Sequence, residues 1–217
     1  MKVRERMSRD LAVINPDTLI VDAFQLMQDR KVRRLPVMSN HKLVGIVTIK
    51  DLNRVTQSPA TRLSIFEINY LLAKTRVKDV LHRGMQVVTI DASANIEKAA
   101  VLMREHEIGG IPVLDGDELV GIITETDIFD AFMDILGVNR TGTRIDMVVG
   151  EKVGSVAAVT GIIAEHGVSI ENIVLVEKEK DFTYDLILRI DTTQADDIVN
   201  SLKEKGFKII EVITQQL

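Results

Sequence analysis

The sequence of 217 residues contains no cysteine and no tryptophan, and aromatic residues make up only 4% of it. Without cysteine, a disulfide framework and thiolate metal sites are both excluded. The same absence is compatible with a reducing compartment. Stability must come from a packed core instead, and the 46% of hydrophobic residues is ample for one.

Long apolar runs and an excess of positive charge are missing as well. No run approaches the roughly 20 apolar residues that span a bilayer, and the charged start at residues 1–7 predicts no signal peptide. The formal net charge of −5 argues against nucleic-acid binding, which favours basic faces and stacking aromatic rings. We therefore expect a cytoplasmic protein that binds neither membrane nor nucleic acid.

A repeat organises the first two thirds of the chain. Residues 31–52 read KVRRLPVMSNHKLVGIVTIKDL, and residues 107–128 read EIGGIPVLDGDELVGIITETDI. The blocks align without a gap at an offset of 76 residues, which pairs, among others, Pro36 with Pro112, Gly45 with Gly121, Thr48 with Thr124, and Asp51 with Asp127. Such an ordered set indicates a duplicated structural unit.

Each copy is predicted to form a β-α-β-β-α unit. A short strand (12–14 or 87–90) precedes an amphipathic helix, for which Asp17 and Ser93 are plausible N-caps. A hairpin with its turn at 39–41 or 115–117 then leads into a second helix. We expect repeat 1 at residues 1–56, a helical linker at 57–76 with a helix over 65–72, and repeat 2 at 77–137.

The last third follows another pattern. Residues 138–143 combine glycine and polar residues and indicate an interdomain linker. Apolar periodicity in 144–217 then predicts the order β-α-β-β-α-β, which is the ferredoxin-like arrangement. The expected fold class is α/β (α+β), with a tandem repeat pair followed by a ferredoxin-like domain.

The repeated T-x-x-D motif carries the chemistry. Thr48 and Asp51, like Thr124 and Asp127, lie where a strand enters a helix, and free N–H groups at a helix start favour phosphate. A carboxylate there can accept the hydroxyls of a ribose. The alternative is that both side chains only cap the helix.

The pair of blocks, residues 1 to about 136, resembles the CBS domain, which occurs in tandem and binds adenine nucleotides or adenosyl compounds. The resemblance implies that Asp51 and Asp127 hold a ribose and that Thr48 and Thr124 contact ribose or phosphate. It also implies two clefts between the repeats. The first combines Thr48 and Asp51 with Val88 and Ile108; the second combines Thr124 and Asp127 with Ser8, Ala12 and Val32.

Arg33 and Arg34 stand where basic residues of AMP-binding CBS proteins touch phosphates. Guanidinium groups suit that role because their paired donors match phosphate oxygens. The alternative is that both arginines are ordinary exposed residues. Repeat 2 has Gly109 and Gly110 at these positions, so the resemblance predicts two unequal clefts.

The C-terminal unit resembles the ACT domain, which binds amino acids or pairs with a second copy. On that resemblance its ligand loop contains Glu151, Val153, Gly154 and Ser155. Val153 replaces the family's proline, so a purely dimerising role is the alternative. The whole arrangement, with SIFEINYLL in the linker and LGVNRTGTRI at the join, resembles the bacterial acetoin-utilisation (AcuB) family and implies a regulatory accessory protein.

Catalytic and metal-binding motifs are missing from the sequence. The four histidines form neither H-x-H nor H-E-x-x-H, and no G-x-S-x-G, P-loop or dinucleotide fingerprint is present. We expect a protein that is not an enzyme, with no metal and no required cofactor. Its expected ligands are AMP, ADP, ATP or S-adenosylmethionine, with an amino acid as a second ligand. We also expect a homodimer and a target enzyme that the sequence does not name. The alternatives are an adaptor without nucleotide and an accessory subunit of a metabolic enzyme.

Overall fold

The computed structural model describes residues 1–57, 73–81, 87–150, 152–178 and 183–216. The chain divides into two compact units, Met1–Ile128 and Phe129–Leu217, which are described separately. The helix expected at 65–72 lies outside the described residues. No helix in the described ranges is both long enough and apolar enough to cross a membrane.

Repeat 1 buries the apolar face of its first helix against a β-hairpin. The central contacts are made by Ala23, Met27, Leu35 and Val37, all at most 1% exposed. The elements of this repeat are α1 (Ile20–Asp29), β1 (Arg34–Ser39), β2 (Lys42–Thr48) and α2 (Ile49–Gln57), and the short helix α3 (Val77–Val80) lies at the start of repeat 2.

Repeat 2 has the same order of helix, hairpin and helix, and its hairpin has the same irregularity. Its elements are β3 (Ile90–Asp91), α4 (Ile96–Glu105), β4 (Gly110–Asp115), β5 (Glu118–Thr124) and α5 (Glu125–Ile135). The hairpin β4–β5 shifts register between Val113 and Leu114, as β1–β2 does between Val37 and Met38. The duplication seen in the sequence is therefore a duplication of structure.

The expected first strand of each repeat is shorter than predicted. Ile14 makes a single parallel bridge to Val37, and β3 has only two residues. Ile14 donates to the Pro36 carbonyl and accepts from Met38, but Pro16 has no N–H with which to continue the ladder. The prediction of a strand over 12–14 was therefore wrong in extent.

The predicted N-caps were wrong, because backbone from the segment before the other repeat meets each helix start. Leu19 and Asn95 occupy the N-cap positions without a side-chain cap. Leu19 bridges Arg76, and Ile20 donates to the Thr75 carbonyl at 3.1 Å. In repeat 2, Asn95 bridges Lys2. The segment before each repeat thus lies on the other repeat and joins the two into one unit.

The C-terminal unit contains a four-stranded antiparallel sheet in the order β7-β8-β6-β9. Its elements are β6 (Gly142–Gly150), α6 (Ser155–Glu165), β7 (Ile170–Lys178), β8 (Thr183–Ile190), α7 (Asp196–Glu204) and β9 (Lys208–Gln215). Buried residues of β6 and β8 pack against the apolar stripes of α6 and α7. This order confirms the predicted ferredoxin-like arrangement and the α+β class.

Candidate functional site

The T-x-x-D motif of repeat 1 forms a capping box. Thr48 ends β2, and Asp51 lies in the first turn of α2. Oδ2 of Asp51 accepts from the Thr48 backbone N–H at 2.9 Å and from its hydroxyl at 2.6 Å. The Asp51 N–H is 3.3 Å from Oγ1 of Thr48. This reciprocal pair satisfies the helix start without any ligand.

Repeat 2 reproduces this geometry. Oδ2 of Asp127 accepts from the N–H and the hydroxyl of Thr124, both at 2.7 Å. Both aspartates use Oδ2, and within the described part of the chain neither Oδ1 atom has a hydrogen bond. Capping therefore fixes the carboxylate while Oδ1 remains for a second partner. The capping and ligand-binding interpretations are compatible.

A cavity of about 830 Å³ opens beside Asp51 and is lined by both repeats. It brings together six of the predicted site residues, namely Arg33, Arg34, Thr48, Asp51, Val88 and Ile108. Thr48 and Asp51 of repeat 1 thus line the same cavity as Val88 and Ile108 of repeat 2. The size lies within the range of about 300–1,000 Å³ typical of small-molecule sites.

The apolar part of the cavity lining, called the apolar wall below, consists of Val44, Ile46, Ile49, Leu81, Val87, Val88, Ile108 and Pro112. Leu81 covers Gly45 so closely that a Cβ on this glycine would lie 2.7 Å from Cδ2 of Leu81. Glycine at position 45 therefore leaves room for the Leu81 side chain, which also lines the cavity. Such a wall suits a flat, weakly polar ring.

The remaining lining is highly charged. The cations are Arg33, Arg34, Lys50 and Arg54, and the carboxylates are Asp51, Glu107 and Glu125. Lys50, Arg54, Glu107 and Glu125 were not predicted from the sequence. The four-residue spacing of Lys50 and Arg54 on one helix was a usable signal, because such residues share a face. Glu107 and Glu125 reach the site of the other repeat, which a repeat alignment alone does not show.

Arg34 lies across the two glycines of repeat 2. Its Nη1 donates to the Gly109 carbonyl at 2.5 Å. A Cβ on Gly110 would meet Nη1 of Arg34 and would lie 3.0 Å from Cζ. Burial lowers the pKa of Arg34, and the nearby Glu125 carboxylate opposes that lowering. Gly109 and Gly110 therefore do not only lack the positive charges of repeat 1. They also provide the space in which Arg34 lies.

The residues expected to form the second cleft are not gathered in this cavity. Ser8 forms an antiparallel bridge with Ile122, two residues before Thr124. Ala12 and Val32 pack partly buried against the core of repeat 1. Asp127 stays close enough to Arg34 to favour its charged form. The second cleft remains a prediction from the sequence.

The loop expected to bind a ligand in the C-terminal unit is open. Val153 is 99% exposed, and Gly154 has φ of 92°, in the left-handed region that glycine adopts readily. Ser155 begins α6, and its hydroxyl donates to the Lys152 carbonyl at 2.8 Å. Glu151 lies outside the described residues. A ligand role for this loop stays a prediction.

No group of three or more histidine and carboxylate side chains that could hold a metal occurs in the ranges described above. His166 contacts the Ser201 hydroxyl at 3.0 Å. His41 lies in the first hairpin turn with φ of 63°. His82 falls outside the described ranges.

A family model described as the CBS domain matches residues 3–57 and 77–134. Together the two matches cover just over half of the sequence. The chain belongs to the CBS-domain family. A second model, the ACT domain, matches residues 143–207. The predicted sequence of a CBS pair followed by an ACT domain is thus confirmed.

Similar proteins match the chain over less than two thirds of its length. A CBS domain-containing protein of Dictyostelium discoideum is 33% identical over 136 residues, which cover 62% of this chain and 92% of that protein. A solved structure from Vibrio cholerae, provisionally assigned as an acetoin utilization protein (AcuB), is 29% identical. It has a TM-score of 0.52 and covers 64% of this chain and 95% of that one.

The solved structure of CBSX2 in complex with AMP is 30% identical, with a TM-score of 0.50, and covers 62% of this chain and 97% of that one. A chloroplastic protein of that name in Arabidopsis thaliana is 32% identical over 145 residues and is spanned over 60% of its length. The chain spans only 46% of another CBS relative, an uncharacterized protein of Thermofilum pendens. These similarities therefore concern the CBS fold more than any whole protein's activity.

Proposed function

We propose that this CBS protein is a non-catalytic, cytoplasmic regulator that binds an adenine nucleotide in the cavity at Asp51. The observation that carries the proposal is the lining of that one cavity by both repeats. An apolar wall, a fixed carboxylate and a group of cations border the same space. A nucleotide has the matching sequence of parts, namely an apolar base, a sugar diol and charged phosphates.

The proposed pose follows from the chemistry of each part. The adenine ring packs against the wall that contains Val88 and Ile108, because burying its faces removes apolar surface from water. The ribose hydroxyls donate to Asp51, whose orientation is already fixed by Thr48. The phosphates extend toward Arg33 and Arg34, since guanidinium donors form strong charge-assisted hydrogen bonds with phosphate oxygens.

The relatives support the ligand class. The solved structure of CBSX2 contains AMP, and its identity to this chain is 30%. The relation to the Vibrio cholerae protein supports an AcuB-like role in acetoin utilisation as a regulatory accessory protein. Coverage of 64% of this chain leaves much of it unmatched, so the ACT domain's role is proposed separately. We propose that it pairs two copies of the chain, with amino-acid binding at Gly154 as the alternative.

A structural adaptor with empty clefts is the second candidate. The observation that favours it is the capping geometry, because Thr48 and Asp51 satisfy each other in the free protein, as Thr124 and Asp127 do. An adaptor needs no more than this. It does not account for the cations and the apolar wall that share the cavity with Asp51.

Calorimetric titration of the full chain with AMP, ADP, ATP, adenosine and S-adenosylmethionine tests the proposal. The informative variant is Asp51→Asn, which retains a capping oxygen but loses the charge. We expect it to weaken nucleotide binding about 10- to 150-fold, the effect of losing a charge-assisted hydrogen bond of about 1.5–3 kcal/mol.

The matched control is Asp115→Asn at the exposed end of β4, which is not part of the cavity lining. It should bind like the parent protein. Binding that is absent in the parent, or equal in Asp51→Asn and the parent, would rule out the proposed site.

A further inference from the structure

The cavity contains a carboxylate that the proposed nucleotide pose does not use. Glu125 follows Thr124 directly and lies in the first turn of α5, so repeat 2 supplies an acidic side chain to the cavity of Asp51. The equivalent position of repeat 1 is Ile49, which is apolar. The Asp51 cleft therefore has a negative charge that the repeat symmetry does not require.

Glu125 and Arg34 meet at Gly109. The Gly109 carbonyl accepts from the Glu125 backbone N–H at 3.2 Å and from Nη1 of Arg34 at 2.5 Å. A Cβ on Gly109 would lie 2.7 Å from Oε2 of Glu125 and 2.8 Å from Nη2 of Arg34. The Gly109 carbonyl thus holds both the start of α5, which carries the Glu125 carboxylate, and the Arg34 guanidinium.

This arrangement places a carboxylate beside the cation that faces the ligand's phosphates. Arg34 is partly buried, whereas Glu125 is exposed and also lines the cavity. The Glu125 carboxylate stabilises the charged form of Arg34, so the two charges act on each other. A phosphate that approaches Arg34 must therefore also approach a like charge on Glu125.

We propose that Glu125 is a specificity-determining residue that limits the number of phosphate charges the Asp51 cleft accepts. Glu125 offsets the charge of Arg34 and repels the ligand, and this repulsion grows with each added phosphate. The cleft therefore favours AMP over ADP and ATP more than its four cations alone would predict. This inference rests on the proposed function, because it concerns the phosphate end of the same nucleotide.

The test compares Glu125→Gln with the parent protein by calorimetric titration of adenosine, AMP, ADP and ATP, without divalent cations. Only the binding that is lost in Asp51→Asn is compared between the variants. The substitution keeps the shape of the side chain and removes its charge. We expect ATP to bind roughly two- to fivefold more tightly, because Glu125 is exposed and its repulsion is partly screened. The gain should be smaller for AMP, absent for adenosine, and reduced at high salt.

The control is Glu105→Gln at the end of α4, which changes the net charge equally but lies outside the cavity lining. An equal change for all four ligands, or the same ranking in Glu105→Gln, would overturn the role of Glu125 while leaving nucleotide binding intact. A parent protein that binds none of the four through Asp51 would overturn the proposed function and this inference together.

Discussion

The position of the Arg34 side chain depends on two glycines of repeat 2 that are far away in the sequence. The Arg34 side chain occupies the space in which a Cβ at position 110 would lie. Its guanidinium is held by the Gly109 carbonyl, 75 residues away along the chain. The position of the Arg34 guanidinium in the cleft is therefore set by the Gly109 carbonyl and by the space that Gly110 leaves.

We expect Gly110→Ala to weaken ATP binding roughly three- to tenfold and to leave adenosine binding unchanged, because the added methyl group displaces the Arg34 guanidinium from its place. The neighbour that must move is the end of a flexible side chain, so the loss of stability should be small. Competition titrations with the two ligands provide the measurement.

Gly161→Ala is a suitable comparison, since a Cβ there has nothing within 4 Å and lies in the other unit. Equal losses for adenosine and ATP in Gly110→Ala would show that the substitution disturbs the cleft in general. The positioning of Arg34 by Gly110 would then be refuted.

The residue types of the site could be predicted from the sequence only in part. The repeated block contains Thr48, Asp51 and the two arginines, so these residues could be identified from the sequence. Lys50 and Arg54 reach the site from α2 of repeat 1, and Glu125 reaches it from the first turn of α5 in repeat 2. The contacts among Gly109, Arg34 and Glu125 depend on how the two repeats pack together. The spacing of residues along the chain does not show this packing.

Strand β6 has a glycine at each end, and the two glycines differ in the space around them. Gly142 has φ of 149°, and a Cβ on it would collide with the Ile190 carbonyl oxygen of β8. Gly150 at the other end has nothing within 4 Å of such a Cβ. Only the first glycine is therefore required by the close approach of two strands.

We expect Gly142→Ala to destabilise the ACT domain by about 1–3 kcal/mol, because backbone strain is added to a collision with main-chain atoms. Gly150→Ala should have little effect. Hydrogen exchange followed by mass spectrometry separates the two domains. Faster exchange is expected in β6, β8 and β9 but not in the CBS repeats. Equal protection of β6 in the two variants would contradict this account.

Elements of the fold were predictable where periodicity is strong, and less so at their starts. The apolar stripes of α6 and α7 predicted helices close to the observed ones, and Gly167, with φ of 67°, follows the C-cap His166 of α6. Asp17 and Ser93 were poor choices for N-caps because backbone from elsewhere in the chain satisfies those helix starts. The similar tripeptides Lys2-Val3-Arg4 and Arg76-Val77-Lys78 were a signal that the segments before the repeats play equivalent roles.

For the molecule as a whole, exposed apolar surface favours association. Several large apolar side chains close together in sequence are more than a third exposed: Phe129, Phe132, Met133, Ile135, Leu136 and Val138. Such concentrations commonly mark protein interfaces. This surface and the expected pairing of CBS repeats and ACT domains lead us to expect a homodimer.

Light scattering of the full chain at micromolar concentration should give twice the chain mass of 24.2 kDa. Phe129→Asp should shift the protein toward the monomer, because a charge replaces a ring that is 68% exposed. Val153→Asp, at a residue that is 99% exposed in another region, is the control. A monomer at all concentrations, with and without AMP, would exclude the homodimer.

We propose that one cleft built by both repeats binds an adenine nucleotide through Asp51, and a crystal structure of the protein grown with saturating AMP would show this binding. We predict AMP in the cavity at Asp51, with a ribose hydroxyl within about 3 Å of that carboxylate and the phosphate near Arg33 or Arg34. Electron density that shows this cavity without AMP, or AMP bound elsewhere on the chain, would contradict the claim.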